Sequence, residues 1–78
     1  MQLIVETTRT PAGDNEPHAF LLGTRRIVVV EVVDRWISTA QSYYKVLTDD
    51  DALYVLRQDA ATGDWEMTLF QSPAQRMN

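Results

Sequence analysis

The chain has 78 residues, which is enough for one core and no second, because a protein of this size buries only about 60–65% of its unfolded surface. It contains no cysteine, which excludes disulfides, thiolate metal sites and thiol nucleophiles and fits a reducing compartment. Eleven acidic against seven basic residues give a net charge of −4, opposite to the basic surplus that neutralises phosphates in most nucleic-acid-binding domains.

Residues 2–8 alternate Leu3, Val5 and Thr7 with Gln2, Ile4 and Glu6, a period of two that predicts a first strand. No basic segment precedes this short apolar run, and no apolar stretch approaches the ~18 residues that would span a membrane. A cytoplasmic protein without a membrane anchor is expected. Residues 8–17 hold Pro11, Gly13, Asp14, Asn15 and Pro17, residues that favour turns, and read as a loop. A short apolar strand over 18–22 then ends at Gly23-Thr24.

Residues 25–36 carry Ile27, Val28, Val29, Val30, Val32 and Val33. Branching at Cβ disfavours the helix, so this is a strand, and at twice the usual length it must bend. Ile27 and Val29 share a face with Glu31, whereas Val32 and Trp36 fall on the other. A β-bulge near Glu31 restores one inward side and is predicted to bring Trp36 into the core. Further strands are expected at 43–48, 52–58 and 65–70. Asp49-Asp50-Asp51 forms one turn between them, and residues 59–64 form another in which Gly63 supplies a positive φ. Short connections and no crossover helix imply an all-β antiparallel meander of about six strands, curled into a barrel or half-barrel. The chain is read as a single β domain over 1–78, with 71–78 a flexible tail.

Candidate chemistry is sparse. The three aspartates lack the glycine and distal glutamate of a calcium loop, and His18 is the sole histidine, without a serine in a nucleophile-elbow setting. No metal, cofactor or catalytic residue is assigned. Glu31, Asp34, Asp59 and Glu66 are expected to pair with Arg35, Lys45 or Arg57 across strands rather than act as an acid–base couple. Among the aromatics, Trp36, Tyr54 and Trp65 are expected in the core. Tyr43 is left to the surface, where Arg26, Arg35, Lys45 and Arg57 join it as the candidate binding residues.

Phe20, Gly23, Arg25, Val29, Val32-Val33-Asp34-Arg35-Trp36, Tyr43-Tyr44-Lys45-Val46, Thr48-Asp49-Asp50, Tyr54, Leu56-Arg57, Asp59 and Trp65 occur in that order. This pattern resembles a family of short bacterial proteins of unknown function. In that family a Gly-Arg step, a Val-Leu-Asp-x-Trp segment, a Tyr-x-Val strand and a Tyr-x-Leu-Arg strand precede a closing tryptophan. Similar segments lie near the C-termini of some translesion-polymerase-like proteins, and that likeness implies an accessory role in DNA repair. The chain departs from the pattern at Val33, where leucine is usual, and at Asp51-Ala52, where a glycine would ease the turn. The reading favoured from the sequence is a non-enzymatic module that binds a protein partner or a second copy of itself through a sheet face or edge. The alternative is a nucleic-acid accessory module, which the net charge disfavours.

Overall fold

The computed structural model describes residues 2–11, 13 and 15–71. Among them are six strands: β1 (Gln2–Arg9), β2 (Asn15–Leu22), β3 (Arg25–Ile37), β4 (Gln41–Thr48), β5 (Leu53–Asp59) and β6 (Trp65–Gln71). Each pairs antiparallel with the next, and β1 returns to β6, so the meander closes into a barrel. The described residues form no helix, and so none long and apolar enough to cross a membrane.

The loop expected over 8–17 is shorter than its composition suggested. Thr8 pairs with Glu16 and Arg9 with Asn15, so both strands run on into it and Pro17 lies inside β2, buried. Proline retains a carbonyl acceptor and a strand-compatible φ, so it can sit where its missing N–H is not needed by a ladder. At the other end the tail was expected over 71–78, but Gln71 closes β6, and 72–78 lie outside the described residues.

Alternation is cleanest on β4 and β5. Tyr44, Val46 and Thr48 of β4 are buried, as are Tyr54 and Leu56 of β5, while the intervening side chains are half-exposed. Leu3, Phe20, Ile27, Ala52 and Trp65 complete the interior, flanked by Val5, Leu22, Val29, Val32 and Met67. Phe20 meets Tyr54 edge to face with ring centres 5.0 Å apart, and Tyr44 meets Trp65 at 5.5 Å. Such ring pairs add about 0.5–1.5 kcal/mol each beyond the area they bury. Tyr54 and Trp65 thus hold the core places expected of them.

The two central hairpins close on different turn chemistry. Gly63 adopts the positive φ expected of it, 78°. In the β4–β5 turn the left-handed position is taken by Asp51, at φ 61°, an angle that aspartate tolerates better than most non-glycine residues. Asp50 in the same turn accepts a hydrogen bond from the buried Thr48 hydroxyl, which also lies 3.2 Å from the Ala52 carbonyl oxygen. The Tyr54 hydroxyl donates to Asp50 at 3.4 Å, and Arg25 stands 3.5 Å away. The bond from Thr48 is the main reason the Asp50 carboxyl titrates below its ordinary value. Burial, followed by the neighbouring Asp50 charge, pushes the Tyr54 phenol up.

Candidate interaction surface

The pairing of β2 with β3 stops early. It runs from Leu22–Arg25 to Ala19–Val28 and ends there, although β3 continues to Ile37. Two neighbouring residues of β2 account for this. His18 is an extra residue in the β1–β2 register, which steps from Glu6–Ala19 to Thr7–Pro17, and such a bulge bends the strand that carries it. Pro17 follows with no N–H to offer a second ladder. Among the described residues, 29–37 of β3 therefore have β4 along one edge and no paired strand along the other.

The same stretch of β3 is bulged twice against β4. The register steps from Val29–Thr48 to Glu31–Leu47, and again from Val32–Val46 to Asp34–Lys45. The first step is the bulge expected near Glu31, and it places Val32 on the interior side with Ile27 and Val29. The second step, unexpected, reverses the alternation once more. Opposed residues share a face, so Arg35, opposite the buried Tyr44, faces the interior side, while Trp36, opposite Tyr43, faces out. Trp36 is 52% exposed, so its expected place in the core is wrong, and the second bulge is the reason.

Val30, Val33 and Ile37 are also exposed, at 64%, 47% and 60%. Four large apolar side chains in eight residues thus lie exposed on the stretch of β3 that has no second paired strand among the described residues. An open strand edge with an apolar surface is a template for another extended chain.

Four of the five candidate residues expected to bind are basic, and three of these are held in ion pairs. Arg26 donates to both Glu6 oxygens at 2.9 and 2.8 Å, and His18 stands 3.5 Å from the same carboxylate. The bond from Arg26 holds the Glu6 carboxyl below its usual range and raises the arginine in turn. Arg35 reaches across from β3 to Glu16 of β2 at 2.6 Å, and beside it the Tyr44 hydroxyl donates to the Asn15 carbonyl at 3.1 Å. Arg57 pairs with Glu66 on the adjacent strand, as cross-strand reasoning expected. Arg35 does not pair with Glu31 or Asp34, because the second bulge turns it to the opposite side.

The five do not form one cluster. Trp36, Tyr43 and Arg57 form a row across β3, β4 and β5 on the outer face, with Lys45 two residues along β4 on the same side. Arg26 lies toward β2, and Arg35 on the interior side. Sequence reasoning missed Val30, Val33 and Ile37 as surface residues, and it missed Glu16 as a partner of Arg35. Pro17 was the available signal, since a proline inside an apolar strand marks where a ladder ends. Elsewhere, Arg57, Asp59, Thr62, Asp64 and Glu66 line a polar depression of about 300 Å³ beside the β5–β6 turn. There the Asp59 carboxylate accepts the Ala61 and Thr62 backbone N–H groups, an arrangement that shapes the turn.

Comparisons with protein families, with curated proteins and with solved structures found no match to this chain.

Proposed function

We propose that this protein is a non-enzymatic interaction module that binds a protein partner by strand addition to residues 29–37 of β3. The observation that carries this reading is the coincidence, on one stretch, of an edge left unpaired among the described residues and four exposed apolar side chains, Val30, Val33, Trp36 and Ile37. Main-chain hydrogen bonds to an edge supply affinity in such complexes, and alternate side chains supply specificity. The lone histidine supports a non-catalytic role: its nearest carboxylate, Glu6, is already engaged by two nitrogens of Arg26, Nε and Nη2, on an exposed face. A cysteine-free chain is at home in the reducing cytoplasm, and the resemblance to short bacterial proteins points to a bacterial setting.

The test is affinity capture from the native host with the wild-type chain and with Val30→Glu/Ile37→Glu. A partner held by the wild type and lost by the charged variant is expected. Identical captured sets would remove β3 from the binding surface.

A nucleic-acid accessory role is the second reading, favoured by one feature, the Trp36–Tyr43–Arg57 row. Aromatics beside arginine stack bases. Against it, Arg26, Arg35 and Arg57 are each matched by a glutamate, which leaves little uncompensated positive charge for phosphates. It requires salt-sensitive DNA binding that weakens in Arg57→Ala, and no binding to single-stranded or duplex DNA at low salt would end it.

A further inference from the structure

Resting on the edge-strand reading, we propose that the segment taken up by β3 is an extended peptide in which apolar residues alternate with lysine or arginine. The free stretch carries two carboxylates on its outer face, Glu31 and Asp34, opposite Leu47 and Lys45 of β4. Among the described residues the ion pairs engage Glu6, Glu16, Asp50 and Glu66, so neither Glu31 nor Asp34 is balanced by one. The Asp34 carboxylate accepts the Arg35 backbone N–H at 2.8 Å, which leaves its charge in place. Arg35, the basic residue nearest in sequence, faces the other side and is held by Glu16. A strand laid along this edge therefore meets an apolar surface interrupted by two carboxylates, Glu31 without a basic residue opposite it and Asp34 with Lys45 across the ladder. Opposite charges placed across such a pair stabilise it and like charges oppose it.

That asymmetry separates the candidate occupants. A second copy of this chain would bring the same Glu31 and Asp34 to the seam, together with a further net charge of −4. A basic, apolar segment brings the complement, and the acidic balance of the whole chain steers it in.

The experiment titrates the full chain with three capped peptides of roughly nine residues, which span the free stretch at about 3.3 Å per residue. Valine alternates with lysine in the first, with serine in the second and with glutamate in the third. Binding is followed through the backbone amide resonances of residues 29–37. The lysine peptide is expected to move those amides and to bind about tenfold more tightly than the serine peptide. The glutamate peptide should bind least, and the advantage of lysine should fade as salt rises from about 0.05 to about 0.5 M. Glu31→Gln should reduce that advantage, and Glu31→Lys should reverse the order of the two charged peptides. Equal binding of all three peptides at β3 would overturn the charge rule while leaving the edge reading intact. Peptides that leave these amides unmoved would overturn the edge reading itself. Shifts of the same amides with protein concentration alone, without peptide, would overturn the basic segment in favour of a second copy.

Discussion

At the scale of single residues, the β4–β5 turn shows how a polar side chain can be worth more than its neighbours suggest. The Thr48 hydroxyl is buried, donates to Asp50 and lies close to the Ala52 carbonyl oxygen. Thr48→Val keeps the shape and removes the donor, and an unfolding free energy lowered by about 1–2 kcal/mol at neutral pH is expected. The pH dependence has a definite sign. Asp50 titrates below the ordinary 3.8 of an aspartate. Its stabilisation is therefore complete above that value and is lost as pH falls through the lower folded value. The gap between wild type and Thr48→Val should narrow below about pH 4 as Asp50 takes up its proton, and denaturant melts at stepped pH read this directly. Asp51 occupies the left-handed region, where glycine carries no Cβ penalty, so Asp51→Gly is expected to raise stability by about 0.5 kcal/mol.

At the scale of elements, β3 is governed by where its alternation is broken. One bulge brings Val32 inward as expected, and the next sends Trp36 out and Arg35 in. Hydrophobicity alone could not reveal the second bulge, because Val32, Val33 and Trp36 tolerate either face, and what decides is whether β4 offers one partner or two. Trp65 is 5% exposed and Trp36 52%, so acrylamide should quench one of two fluorescence components, and Trp36→Phe should remove that component. Deleting Val33 removes the extra residue but leaves the flanking register, Val32 opposite Val46 and Asp34 opposite Lys45, as it is. Trp36 should then stay accessible to quencher and the Arg35–Glu16 bridge should persist, whereas shielding of Trp36 would mean that the whole register had slipped. The β1–β2 hairpin illustrates why a loop was expected where the two strands run on. Pro11 and Gly13 do lie in the turn, where the Gly13 N–H donates to the Thr10 carbonyl, but the Thr8–Glu16 and Arg9–Asn15 pairs carry the residues on either side, Pro17 included, into strands because each strand supplies the other's hydrogen bonds.

At the scale of the molecule, closure is uneven. β4 and β5 are paired over their whole lengths, from Gln41–Asp59 to Leu47–Leu53, whereas β1 and β6 meet through Gln2–Glu66 and Leu3–Trp65. Ladders with few pairs open at lower free energy than those buried on both sides. In native-state hydrogen exchange the amides of the β1–β6 seam should exchange first and those of Tyr44, Val46, Tyr54 and Leu56 last. The opposite order would mean that the barrel opens between β4 and β5. Leu56 is fully buried, and Leu56→Ala should cost about 2–5 kcal/mol in chemical denaturation.

The six strands and their antiparallel order were legible in the sequence because they rest on local properties. Period-two alternation, β-branching and turn-forming clusters act within a few residues, and short connections leave few topologies open. The burial of Tyr54 and Trp65 was legible for the same reason, since alternation was regular around them. Closure of the sheet, the second bulge, the departure of β2 at His18 and Pro17, and the pairing of Arg35 with Glu16 were decided only in three dimensions. Each depends on which residue of a distant strand stands opposite, a relation that a one-residue slip inverts. The candidate surface follows from those non-local choices. A valine-rich strand reads in sequence as core, and only the early end of its pairing with β2 leaves its far half an exposed edge among the described residues.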